Sequence, residues 1–303
     1  MHYTLCIMHC VRQCNKSEFE EPSGGMHMRH CEKQTDKWGK VLWITTDYAE
    51  VGIALDFGIR VVHLSCPGME NLFYEQPADL SDGAATPQGW KLYGGHRLWL
   101  APEGDWSYCP DNEPVRYTVT GNTVLVEQAQ DPWTGVRKQL RLTFREKAID
   151  VENIFINDTD KVMEGASWGV NTLDGGVAKI DFAGTQPGDY TPRRIISLWA
   201  DTNVHDSRIQ FDRHSLTATH APLTDYFKMG LYCNPGKAVY ENKSQRFILT
   251  FGAEGTENHP DNGCNFELYL GKYFMELETL GVKRTLQPGE KASHTETWQL
   301  EII

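Results

Sequence analysis

Residues 115–127 read VRYTVTGNTVLVE. Valine, threonine, tyrosine and leucine fill both halves, and the one interruption is Gly121-Asn122. Branched and aromatic side chains suit a pleated, half-buried strand. A two-residue Gly-Asn break between two such runs is a hairpin signal. The stretch therefore predicts two short antiparallel strands. In VRKQLRLTF, which follows at 136–144, Leu140, Leu142 and Phe144 alternate with Arg141 and Thr143. A period of two places one set of side chains in a core and the other toward solvent.

The same pattern extends in both directions. Upstream lie VLWIT (41–45), VGIAL (51–55) and IRVVHL (59–64). Downstream come IDVENIFI (149–156), VAKIDF, IISLWA, RIQF, YFKMGLYC, RFILTF, NFELYL, YFMELET and HTETWQLEII, separated by turns such as DGG, NPGK and QPGE. That makes roughly sixteen strands spaced about 8–12 residues apart, with no long amphipathic helix, a pattern of sandwiches and barrels. No linker divides residues 38–303 and no repeat of solenoid or propeller period stands out. The expected fold class is all-β, a single large β-sandwich over 38–303. Residues 1–37 contain SEFEEPSGGMHMRH, with Pro and Gly but no periodicity, and are expected to form a disordered N-terminal extension.

Composition limits the function. The 303 residues carry 40% hydrophobic and 11% aromatic residues, enough for a large core. A formal net charge of -12 lacks the basic footprint of a nucleic-acid partner. No apolar run reaches the length of about 18 residues that a membrane helix needs. The apolar stretch YTLCIMHCV (3–11) has neither a basic residue ahead of it nor a small-residue cleavage pattern after it. A cytoplasmic protein is expected. Cys6, Cys10 and Cys14 recur every four residues near His2 and His9. On a helix they would share a face, but the spacing is not a zinc pattern, and no metal is expected. Cys66, Cys109, Cys233 and Cys264, scattered through strand-like sequence, read as reduced core residues. GGVAKIDFAG lacks the strand, loop and helix context of a nucleotide site. No cofactor is expected, and oligomeric state is not legible.

Candidate chemistry follows from alternation. In KYFMELETLG (272–281), Met275, Leu277 and Thr279 share one face and Phe274, Glu276 and Glu278 the other. Two carboxylates about 7 Å apart along a strand suit a general base whose pKa is raised by its neighbour. The alternative is a solvent-facing pair on an outer sheet. In YFKMGLYC (226–233), Lys228 shares a face with Tyr226 and Tyr232. That is a donor between rings, suited to hydroxyl recognition, or else a lysine spread over an exposed sheet. In GGHRLWLAPE (94–103), alternation sets His96, Leu98 and Leu100 against Arg97 and Trp99. The Gly94-Gly95 pair permits an irregular entry. Arg97 with Trp99 is the better binding pair, a five-donor fork beside a stacking surface. His96 is the candidate proton carrier at the strand mouth.

GGHRLWLAPE, then PDNEPVRYTV, then FMELETLGVKRTLQPGEKASHTETWQL resemble the galactose mutarotase-like superfamily, in a bacterial branch marked by the GGHRLW–APE block. The likeness covers about residues 38–303. It implies a β-supersandwich in which one sheet holds a sugar. In the family's aldose 1-epimerases a glutamate near the C-terminus deprotonates the anomeric hydroxyl while a histidine protonates the ring oxygen. Glu278 matches the glutamate. Trp168, in GASWGVNTL (165–173), stands where the histidine is expected, so the acid is expected to be His96 or another group. The candidate substrate-binding set is Arg97, Trp99, Glu103, Trp168, Lys228 and Glu276, with Glu278 and His96 the candidate catalytic pair. Two functions follow: an epimerase or related isomerase acting on an aldose or modified sugar, or a non-catalytic carbohydrate-binding or sensing domain.

Overall fold

The Gly121-Asn122 hairpin forms as its residues dictate: Thr120 pairs with Thr123 across the turn, and Arg116 with Glu127 at the open end. A computed structural model describes residues 27–77, 89–184 and 190–303. Along them run β1 (Arg29–Thr35), β2 (Gly39–Thr45), β3 (Glu50–Ala54), β4 (Arg60–Ser65), β5 (Gly95–Ala101), β6 (Arg116–Thr120) and β7 (Thr123–Glu127). Next come β8 (Val136–Phe144), β9 (Ile149–Asn157), β10 (Met163–Leu173), β11 (Val177–Asp181), β12 (Ile196–Leu198), β13 (Ile209–Phe211) and β14 (Ser215–Thr219). The last are β15 (Phe227–Leu231), β16 (Gly236–Asn242), β17 (Gln245–Phe251), β18 (Phe266–Leu270), β19 (Met275–Leu280), β20 (Arg284–Leu286) and β21 (Lys291–Ile302).

These strands build two antiparallel sheets. The first has the order β1-β2-β3-β4-β5-β10-β19-β18-β15-β12, with β20 added beside β10. The second has the order β13-β14-β11-β16-β17-β21-β9-β8-β7-β6. One apolar core lies between them, with Leu98, Phe227, Met229, Phe266, Leu268, Met275 and Leu277 of the first sheet meeting Leu140, Leu142, Phe247, Leu249 and Trp298 of the second. This is the all-β sandwich that the alternation predicts. Cys66, Cys233 and Cys264 are buried thiols, as expected, whereas Cys109 is only half-buried.

Strand structure is present before the expected boundary at residue 38. β1 pairs along its whole length with β2, from Arg29↔Thr45 to Thr35↔Gly39. Its sequence RHCEKQT is polar and mostly exposed, so no apolar periodicity betrays it; backbone pairing at a sheet edge holds it. The Cys6–Cys10–Cys14 spacing and the rest of 1–26 lie outside the described residues.

Candidate functional site

Five strands of the first sheet put their polar alternate residues on one face, turned away from the sandwich core. On β5 these are Arg97 and Trp99, and on β10 Trp168 and Thr172. On β19 they are Glu276 and Glu278, on β18 Glu267 and Tyr269, and on β15 Lys228. Register lines them up: Trp99↔Trp168, Val170↔Glu278, Glu278↔Glu267 and Glu276↔Tyr269, and Tyr269↔Lys228. Period two does the rest, because each polar residue is flanked in its strand by core residues such as Leu98, Leu277, Leu268 and Phe227. Loops cover this face, so its charged groups are buried: Glu267 and Glu278 are each 1% exposed.

The Lys228 ammonium is the centre of the cluster. Its Nζ lies 3.0 Å from Glu267, 3.2 Å from Glu103 and 3.9 Å from Glu278. It also sits over two indoles, 4.8 Å from the Trp168 ring and 4.9 Å from that of Trp199. Burial alone would strip its proton, but Glu278, Glu267 and Glu103 together hold the ammonium's pKa well above the lysine range. Trp168 donates its Nε1–H to Glu278 Oε2 at 2.8 Å. Arg97 forms a second centre. Its guanidinium lies 4.3 Å over Trp99 and donates to Glu276 Oε1 at 3.0 Å and to Thr172 Oγ1 at 2.9 Å.

Four carboxyls, Glu103, Glu267, Glu276 and Glu278, thus share two cations. Burial is the main cause that pushes Glu278 up to about 7; Lys228 opposes it and Glu276 adds to it. Burial also holds Glu267 well above the carboxylate range, against the pull of Lys228 and with the push of Glu278. Glu103 behaves differently. Burial raises it, but Lys228 and the Tyr108 hydroxyl, which donates to it at 2.5 Å, bring it below the usual range. A buried carboxyl pushed toward neutrality beside a second one held above the carboxylate range is placed for proton transfer.

The structure brings together Glu278, Glu276, Arg97, Trp99, Trp168, Lys228 and Glu103 from the expected set. It separates His96. That side chain points into the space between the sheets and is 0% exposed, with Nδ1 3.1 Å from Asn171 Oδ1 and Nε2 3.0 Å from Asn153 Oδ1. Burial lowers its pKa, against the pull of Glu296. It belongs to an interior network around Glu296, which accepts from Asn171 Nδ2 at 3.1 Å and from Trp298 Nε1 at 2.8 Å. Gly169 makes room for that network, since a Cβ there would lie 2.1 Å from Glu296 Oε1. The expected position of His96 at the strand mouth is therefore corrected, because alternation commits it to the core side once Arg97 and Trp99 face outward. The Gly94-Gly95 entry is irregular as expected. Both glycines have positive φ, and a Cβ on either would strike a carbonyl oxygen, Tyr74 O at 1.9 Å or Val61 O at 2.2 Å.

The tyrosines expected to flank Lys228 do other work. Tyr226 stacks on Tyr269 with centroids 6.1 Å apart and donates its hydroxyl to Asp201, while Tyr232 donates to the Glu254 carbonyl. Sequence reasoning missed Glu267, although NFELYL carried the signal: Phe266, Leu268 and Leu270 are core residues, and Glu267 and Tyr269 fall between them. It also missed Trp90, Tyr108 and Trp199, which come from connecting segments where no period exists. Among the described residues no group of three or more His, Cys, Asp or Glu is placed to hold a metal ion, and no helix is long and apolar enough to cross a membrane.

No protein-family model matches the chain, and no curated protein matches it. Solved structures do. A galactose mutarotase-like protein from Lactobacillus casei ATCC 334 superposes with a TM-score of 0.56 at 12% identity, covering 86% of this chain and 100% of that one. A candidate aldose 1-epimerase from Klebsiella pneumoniae subsp. pneumoniae MGH 78578 gives 0.56 at 12% identity, over 91% of this chain and 87% of that one. A TPR-domain containing protein from Parabacteroides distasonis ATCC 8503 gives 0.54 at 14% identity; 86% of this chain spans only 47% of that longer one.

Proposed function

We infer, for a chain that has the galactose mutarotase-like fold, that the buried face of its first sheet takes a reducing sugar and interconverts its anomers, with Glu278 as general base. The observation that carries this reading is the setting of Glu278. It is 1% exposed, held by the Trp168 indole N–H, 3.9 Å from an ammonium, and pushed up to about 7 by burial. A carboxylate tuned to the operating pH abstracts a hydroxyl proton efficiently. Lys228 and Glu103 are the outer members, with side chains 10% and 35% exposed, so a ligand reaches Glu278 from their side. Indoles of Trp168 and Trp199 and the Arg97–Trp99 stack supply apolar faces and donors that suit a polyol.

A cluster with four carboxyls and only two cations, both already paired, is built for a neutral ligand rather than a phosphorylated or acidic one. The test is anomer exchange of a panel of neutral aldoses, followed by saturation-transfer NMR. Wild type is expected to accelerate exchange of at least one sugar, and Glu278→Gln to lose roughly 100-fold or more of that rate. Absence of acceleration for every sugar sinks the reading. A second reading, sugar binding without turnover, is favoured by one observation: Trp168 stands where the resembled enzymes are expected to carry a histidine. Under it, a sugar raises the melting temperature while anomer exchange stays at the uncatalysed rate.

A further inference from the structure

Acid–base chemistry on a sugar ring needs a donor as well as a base, and His96 faces away from Glu278. The site must hold its proton elsewhere. Three carboxyls surround Lys228, two of them buried, and one ammonium compensates three negative charges poorly there. At least one carboxyl is therefore protonated, and the hydrogen bonds say which. Glu103 accepts the Tyr108 hydroxyl and is the most exposed of the three. Glu278 accepts the Trp168 N–H. Both are thereby favoured as carboxylates. Glu267 is 1% exposed, lies 3.0 Å from the Lys228 ammonium, and receives no hydrogen bond from any tyrosine or indole such as steadies the other two. It faces Glu278 directly across the β18–β19 register.

Resting on the reading of the site as sugar-directed, we propose that Glu267 carries the proton of the site and is its general acid, filling the role for which the chain has no available histidine. A reducing sugar then opens as follows. The Glu278 carboxylate removes the proton of the anomeric hydroxyl, and the freed electron pair forms the C1 carbonyl. The bond from C1 to the ring oxygen breaks, its electrons pass to the ring oxygen, and that oxygen takes the Glu267 proton. Glu278 ends as the acid and Glu267 as the carboxylate. Rotation about C1–C2 and the reverse transfers close the ring in the other anomer and restore both groups, with no net gain or loss of atoms. Lys228, between the two carboxyls, stabilises whichever of them is ionised at each stage.

The donor role is tested on the full chain with wild type, Glu267→Gln, Glu267→Asp and Glu278→Gln. Isotope-edited infrared spectra with carboxyl-labelled glutamate at about pH 9, where Glu278 is ionised, are expected to show a protonated carboxyl in the wild type that Glu267→Gln removes. Anomer exchange of the best neutral aldose is expected to fall roughly 100-fold or more in Glu267→Gln and to lose its alkaline limb. Glu267→Asp, which keeps a carboxyl in case the amide disturbs folding, is expected to retain that limb at a reduced rate. An active wild type whose Glu267→Gln variant keeps its rate, or whose protonated band survives the substitution, overturns the donor assignment and leaves the sugar reading standing. A wild type inactive on every aldose removes both.

Discussion

Replacing Glu278 by glutamine should make the protein more stable above neutrality, and the size of the gain follows from the site. In the unfolded chain Glu278 has its ordinary pKa of 4.5, and in the folded chain it is pushed up to about 7. The folded state therefore holds the extra proton through that window. Stability falls as pH rises whenever the folded chain binds more protons than the unfolded one. The penalty is absent well below 4.5 and complete above 7. At about 1.4 kcal/mol per pH unit it amounts to about 3 kcal/mol, of which about 2–3 kcal/mol develops between pH 5 and pH 8. Glutamine keeps the shape and an acceptor for the Trp168 N–H but never ionises. Urea unfolding of both proteins near pH 5 and pH 8 isolates the effect, since most other titrating groups contribute alike to both. The variant should lose about 2–3 kcal/mol less than the wild type between those conditions. Identical pH dependence in the two proteins would refute the raised pKa and, with it, the argument that Glu278 is tuned for proton abstraction.

Further outcomes follow from neighbouring contacts. Lys228→Met removes the ammonium that three carboxyls surround. It should cost about 3 kcal/mol near pH 8 and less near pH 4, where Glu267 and Glu278 hold their protons; an equal loss at both pH values, by urea unfolding, contradicts the cluster's electrostatics. Gly169→Ala drives a Cβ into Glu296 and Asn153 and should destabilise by about 1–3 kcal/mol; a change within the measurement error means the interior network yields freely. His96→Ala should lower stability by about 1–3 kcal/mol, because it strands Asn153 and Asn171, yet leave the pH profile of anomer exchange unmoved. A shifted profile would return His96 to the chemistry.

Much of this was legible in the sequence. The hairpin at Gly121-Asn122 and the alternation of Leu140, Leu142 and Phe144 pointed to the sandwich, because period two and turn chemistry are local properties. The same rule placed Glu276 and Glu278 on one face and set His96 against Arg97 and Trp99, and the structure keeps both divisions. Alternation says which residues share a face but not which face of a sheet is the core. In β5 every residue from Gly95 to Ala101 is buried, so burial pattern alone could not tell the interior side of His96 from the site side of Arg97. Glu267 is a different case. Its strand was legible, but its importance depends on lying opposite Glu278, and register between strands is not written in either one. β1 was missed because an edge strand held by backbone pairing needs no apolar residues.

The central claim, that the Glu267–Glu278 face works on a sugar, is tested most directly by a crystal structure with the aldose that exchanges fastest. The account predicts the sugar on the outer face of the first sheet, bounded by Trp168, Trp199 and Lys228. Its anomeric oxygen should lie about 2.6–3.2 Å from a Glu278 oxygen and its ring oxygen within the same reach of Glu267. A sugar seated instead in the cavity of about 550 Å³ lined by Asp201, His205, Asp206 and Tyr226, with the Lys228 cluster untouched, would contradict it.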